Sequence, residues 1–127
     1  MAPYEFKNFK VTFPRHFVAH VEINRPSKRN AFNEAMWIEL KDIFQRLSHD
    51  PDARAIILSG AGNHAFSTGM DFGSSTVTDM VQREFDDPVR KAAVVRRWIH
   101  QVQECFSAVH QCEKRMLTLS PGMICIN

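Results

Sequence analysis

Residues 50–72 read DPDARAIILSGAGNHAFSTGMDF, and the way this stretch divides decides the fold. Asp50-Pro51-Asp52 is a turn signal, and Ala53 to Ser59 is a short apolar run centred on Ile56-Ile57-Leu58. A segment rich in Gly, Ser and Thr then extends to residue 76. An apolar run of that length between turn signals predicts a buried, parallel strand. Open α/β sheets present ligand sites beyond the carboxyl ends of such strands. Ala65-Phe66-Ser67-Thr68-Gly69-Met70-Asp71-Phe72 is therefore the first candidate site. Gly69 lets the backbone turn, so that the Met70 N–H can face a pocket and donate to negative charge developing on a carbonyl oxygen. Asp71 is expected in the first turn of a following helix, accepting backbone N–H bonds.

Working outward, residues 4–13 alternate apolar and polar with one slip near Lys7-Asn8, a strand pattern that Pro14-Arg15 is expected to break. Phe17 to Ile23 resumes the alternation, and the two runs predict a hairpin. Asn24 to Asn30 is polar, contains Pro26 and reads as a loop. Its cations, Arg25, Lys28 and Arg29, would suit the phosphates of a nucleotide-like ligand. Met36, Trp37, Leu40, Ile43, Phe44 and Leu47 form the stripe of an amphipathic helix, with Asn33 as its N-cap. Asp86-Asp87-Pro88 opens a second helix over 89–113. The last residues, Arg115 to Asn127, carry short apolar runs on either side of Ser120-Pro121-Gly122 and are too few for another domain. The order strand, strand, helix, strand, loop, helix predicts an α/β fold.

The chain has 127 residues with 16 Lys+Arg against 14 Asp+Glu, a net charge of +2, which does not suggest a dedicated nucleic-acid binder. No apolar run approaches the roughly 20 residues of a membrane-spanning helix. The first residues, Met1-Ala2-Pro3-Tyr4-Glu5-Phe6, show no basic segment followed by an apolar stretch. Three cysteines fit a reducing compartment. Cys105, His110 and Cys112 fall on different faces of the second helix, so no metal site is expected.

Three segments together resemble the enoyl-CoA hydratase/isomerase (crotonase) superfamily and, within it, the Δ3,5-Δ2,4-dienoyl-CoA isomerases. They are HVEINRPSKRNAFNEAMWIEL (20–40), DPDARAIILSGAGNHAFSTGMDF (50–72) and QECFSAVHQCEK (103–114). Arg29-Asn30-Ala31 after Pro26, Trp37 in the first helix and the long insertion before Gln103 favour the isomerases over the plain hydratases. The resemblance implies a partial crotonase (ClpP/crotonase-like) spiral of ββα units, with 1–114 as the N-terminal part of such a domain and 115–127 as a divergent tail. It implies binding of acyl-CoA thioesters and double-bond isomerisation in fatty-acid β-oxidation, with no cofactor, because coenzyme A is part of the substrate. Carried onto this sequence, Met70 N–H matches the first oxyanion donor, and Thr68, Gly69, Asp71 and Phe72 match the segment beside the thioester. Phe66 matches a neighbouring aromatic, and Lys28, Arg29, Asn30 and Ala31 match the loop near the adenine and phosphates of CoA. The family forms trimers or hexamers, in the peroxisome or mitochondrion.

One departure accompanies the match. After Cys112-Glu113-Lys114 the family continues through Pro and an apolar strand to a Gly-rich turn with the second oxyanion amide, whereas here Arg115-Met116-Leu117-Thr118-Leu119-Ser120-Pro121-Gly122 follows. The family's acid/base carboxylates would lie still later. The expectation is therefore of a truncated chain without turnover. Alternatives are an enoyl-CoA hydratase, or a non-catalytic fragment or gene-model artefact that docks on full-length subunits. The final Cys125-Ile126-Asn127 is neither a peroxisomal tripeptide nor a prenylation signal.

Overall fold

The computed structural model describes residues 4–71 and 87–120, which build a four-stranded sheet with two helices. In chain order these are β1 (Phe9–Arg15), β2 (Val18–Ile23), a 3-10 turn (Pro26–Lys28), α1 (Glu34–His49), β3 (Ala55–Gly60), α2 (Pro88–Gln111) and β4 (Arg115–Leu119). The sheet order is β1-β2-β3-β4. β1 and β2 are antiparallel, with Phe9 opposite Ile23. β3 runs parallel to both β2 and β4, with Ile23 opposite Gly60 and Ile56 opposite Met116.

The expected hairpin is present, but β1 continues through Pro14 to Arg15. Proline is tolerated there because β1 is an edge strand, and the pairing register shifts between Thr12 and Arg15 where the proline cannot donate. The turn closes with Phe17 at φ 66°, an uncommon conformation for a bulky residue. Two contacts hold it: Phe17 O accepts from Arg54 N–H (2.8 Å) and Ala55 N–H (3.2 Å), and the Arg54 guanidinium lies 3.9 Å from the Phe17 ring centre.

α1 forms where its stripe predicts, and Met36, Trp37, Leu40, Ile43, Phe44 and Leu47 are all buried. They pack with Ala19, Val21 and Ile23 of β2 and Ile56 and Leu58 of β3, each large side chain contributing roughly 1.5–3 kcal/mol of apolar burial. Asn33 caps the helix by accepting from Met36 N–H at 3.0 Å. α2 begins at Pro88, one residue before the expected start, with Asp87 accepting from Val89 N–H at 2.9 Å. It packs against α1, where the Trp37 and Trp98 rings meet edge to face at 5.8 Å.

Residues 115–119, set apart by the sequence reading as part of a divergent tail, are the fourth strand of the sheet. Their entry is fixed from α1, because Glu113 N–H donates to Ser48 Oγ (3.0 Å) and Lys114 Nζ to the Asp50 carbonyl (3.1 Å). The site follows from the parallel pairing of β2 and β3: the loops after both strands, 24–33 and 61–71, leave the sheet at the same end.

Candidate active site

The two loops are joined by a side chain of each that reaches the backbone of the other. Asn30 sits at φ 60° and is fully buried. Its Nδ2 donates to the carbonyls of Ala61 and Ala65, both at 3.0 Å, and its Oδ1 accepts from Arg25 N–H at 2.9 Å. Ser67 Oγ donates to Asn30 O at 2.8 Å and accepts from Gly69 N–H at 3.1 Å. Gly60 makes the close approach possible: a β-carbon there would collide with the Phe66 carbonyl and press on Asn30.

Phe32 and Met70 then form an isolated parallel bridge. Phe32 N–H donates to Gly69 O (2.7 Å), and Phe32 O accepts from Asp71 N–H (2.8 Å). This pattern uses the groups on either side of Met70, so its own N–H lies on the side opposite Phe32. Among the described residues no backbone carbonyl accepts it. Gly69 has φ 93°, the left-handed backbone expected of a glycine at this turn.

Gly69 and Met70 border a cavity of about 580 Å³, within the range of small-molecule sites. Its walls come from β2 (Ile23), α1 (Trp37, Leu40), β3 (Leu58), α2 (Val102, Phe106, Val109) and β4 (Met116, Thr118), together with Phe32, Phe66 and Ser67. None of these residues is acidic, and His110 is the titratable side chain among the described lining residues. The arrangement offers an apolar sleeve bordered by Met70, a residue whose backbone donor the bridge to Phe32 does not use.

The sequence-chosen residues divide by environment. Met70, Gly69 and Phe66 line the cavity, and Thr68 is exposed beside them. Lys28 and Arg29 are exposed on the 3-10 turn and its cap. Asn30 and Ala31 are buried, and the Asn30 side chain is committed to the protein's own backbone, so it acts as a latch between loops. Asp71, expected as a helix cap, receives Arg25 Nη1 at 2.7 Å. The helix expected after it, and Phe72, lie outside the described residues. Arg25 is turned inward to this pair, away from the role of a phosphate-facing cation.

Sequence reading missed the Arg25–Asp71 pair, whose partners are 46 residues apart, and the role of Ser67. The Ser67 bond to Gly69 N–H is a Ser turn, and Ser two residues before Gly was the local signal for it. It also missed Thr118, which reaches the cavity only through β4. Cys105 and Cys112 are free, and burial pushes the Cys105 thiol upward, which leaves it a poor nucleophile. No helix among the described residues is long and apolar enough to cross a membrane.

The sequence pattern of the enoyl-CoA hydratase/isomerase family matches residues 15–117. The chain belongs to that family. Among its relatives, the mitochondrial Delta(3,5)-Delta(2,4)-dienoyl-CoA isomerase of Rattus norvegicus is 36% identical over 122 residues, 96% of this chain and 37% of the relative. The peroxisomal Delta(3,5)-Delta(2,4)-dienoyl-CoA isomerase of Arabidopsis thaliana is 35% identical over 105 residues, 83% of this chain and 37% of the relative. The crystal structure of an enoyl-CoA hydratase from Mycobacterium smegmatis superposes with a TM-score of 0.73 at 23% identity, covering 94% of this chain and 42% of that one. That likeness identifies the α/β architecture as the crotonase fold. The chain spans about 37% of the length of the curated relatives described. The family match runs through Leu117, so β4 lies within it to that point.

Proposed function

We propose that this chain supplies the thioester end and acyl-chain pocket of an acyl-CoA isomerase acting on dienoyl-CoA in fatty-acid oxidation. The observation that carries the reading is the Phe32–Met70 bridge: it commits Gly69 O and Asp71 N–H while leaving Met70 N–H outside the pairing, on a residue that borders an apolar cavity. A donor held in this way stabilises charge developing on a thioester oxygen without reorganisation during the reaction. The acyl chain would occupy the cavity, and exposed Lys28 and Arg29 would face the CoA phosphates. Coenzyme A enters as part of the substrate, and no separate cofactor is assigned.

The isomerase class is favoured over the hydratase class because the rat isomerase aligns over 96% of this chain, whereas likeness to the hydratase structure speaks for the fold alone. No described lining residue is acidic, so the part assigned to these residues is binding and oxyanion stabilisation. Proton transfer falls to groups beyond them. A homotrimer or homohexamer in the mitochondrion or peroxisome belongs to the same proposal, supported by the family and by the compartments in the relatives' names.

The test is calorimetric titration of the full chain with butanoyl-, hexanoyl- and octanoyl-CoA and with free CoA. Each buried methylene is worth about 0.8 kcal/mol, so affinity should rise by up to about fifteenfold per two carbons. Equal affinity for free CoA and octanoyl-CoA, or no binding of either, would reject the reading.

A further inference from the structure

We propose that Arg25 is a positioning residue for the Met70 amide, acting through the peptide groups on both sides of the Phe32–Met70 bridge. The inference rests on the acyl-CoA reading and adds to it the element that orients the donor. Arg25 Nη1 donates to Ala31 O at 3.0 Å and to Asp71 Oδ2 at 2.7 Å. Ala31 immediately precedes Phe32, and Asp71 immediately follows Met70. One guanidinium nitrogen therefore ties the chain entering one side of the bridge to the chain leaving the other. Both side chains are largely shielded, at 20% and 16% exposure, where a charge-assisted bond is stronger than on an open surface.

The bridge needs such a tie. It is a single pair outside the main sheet, and Gly69, on the amino side of Met70, has the widest conformational freedom of any residue type. Ser67 Oγ restrains the Gly69 N–H. On the carboxyl side, the Arg25 bond to the Asp71 carboxylate supports the Asp71 N–H bond to Phe32 O. The Arg25 main chain is itself fixed, because its N–H donates to Asn30 Oδ1 (2.9 Å) and its carbonyl accepts from Asn30 N–H (2.8 Å). An oxyanion donor works through preorganisation, so loosening Asp71 should cost polarisation of the bound carbonyl more than it costs binding, which the apolar cavity dominates.

The experiment compares the full chain with Arg25→Gln, Arg25→Lys and Asp71→Asn, using octanoyl-CoA labelled with carbon-13 at the thioester carbonyl. Difference infrared spectroscopy reads the carbonyl band, and calorimetry reads affinity. A positioned donor lowers the band in the parent chain. Arg25→Gln and Asp71→Asn should lose at least half of that shift while binding within about threefold of the parent, and Arg25→Lys should restore most of it. A full shift in a folded Arg25→Gln chain would overturn the proposal. If Arg25→Gln does not fold, Arg25→Lys and Asp71→Asn decide it by the same criterion. If the parent binds no octanoyl-CoA, the acyl-CoA reading fails by itself, and amide exchange in the ligand-free chain then judges the tie. Exchange of Asp71 N–H at least tenfold faster in Arg25→Gln, with Val21 unchanged, supports it; equal exchange refutes it.

Discussion

Phe32 and Met70, 38 positions apart in the chain, pair as a single parallel bridge that consumes the Gly69 carbonyl and the Asp71 N–H. The consequence is local and directional: Met70 N–H lies on the side away from Phe32, and Met70 itself borders a cavity walled by both helices and three strands.

The first prediction concerns Gly69. A β-carbon there meets no atom within 4 Å, so Gly69→Ala is resisted by φ 93° alone. The cost should be roughly 1–3 kcal/mol if the backbone holds. Thermal melting should fall accordingly, and the infrared carbonyl shift of bound octanoyl-CoA should shrink, because relaxing the strain turns the Met70 peptide. A variant with parent melting and the parent carbonyl shift would show that the positive φ is not needed.

Asn30→Ala should be more damaging. It leaves the Ala61 and Ala65 carbonyls and the Arg25 N–H without their partner, and each buried polar group left unpaired costs about 1–3 kcal/mol. We expect a loss of at least about 3 kcal/mol by urea denaturation. Asn30→Asp should not rescue it, since a carboxylate would face two carbonyl oxygens. A loss below about 1 kcal/mol would mean that the loops are joined by other means.

These two residues also mark what the sequence made legible. Gly69 was readable because a glycine after a buried strand has a local meaning, and α1 was readable because its period of apolar residues is long and its cap, Asn33, is adjacent. The Asn30 latch and the Arg25–Asp71 pair were not, because each joins positions more than 30 residues apart and nothing in the spacing of polar residues specifies a partner at that distance. Pro14 misled for a related reason: whether proline ends a strand depends on edge or centre position, which is a property of the assembled sheet. Residues 115–119 were set apart because their sequence departs from the family's, yet strand pairing uses backbone groups and accepts Arg115-Met116-Leu117-Thr118-Leu119 beside β3.

Acid and alkaline stability should both depend on one hydrogen bond. Tyr4 Oη donates to Asp50 Oδ2 at 2.7 Å. This bond is the chief cause that holds the Asp50 carboxyl below its ordinary range, with the Asp52 N–H assisting and burial opposing. The folded value is lowered, so the stability it contributes is present above the ordinary aspartate range and is lost as pH falls through the folded value. Burial first, and the Asp50 bond second, raise Tyr4 above its ordinary value near 10. That contribution is present below pH 10 and lost as pH rises through the raised folded value. Tyr4 is the only tyrosine in the chain, so tyrosinate absorbance reads it directly. We expect ionisation to appear together with unfolding at alkaline pH, and Tyr4→Phe to weaken the acid dependence. Tyr4 ionising near 10 in the folded chain would contradict this.

An apolar dye should report the cavity. Phe106 and Met116, both lining it, are 46% and 42% exposed, a surface to which such dyes bind. Dye fluorescence in the native chain should fall when octanoyl-CoA is added and remain when free CoA is added. Equal displacement by both would place the acyl chain elsewhere.

The most direct test of Met70 as the thioester-oxygen donor is its own amide resonance in a nitrogen-15-labelled chain titrated with octanoyl-CoA. The result expected is a downfield proton shift of the Met70 N–H that grows with saturation, is absent with free CoA, and exceeds the shifts of Gly69 and Asp71. Saturation by octanoyl-CoA with the Met70 resonance unmoved would contradict the assignment.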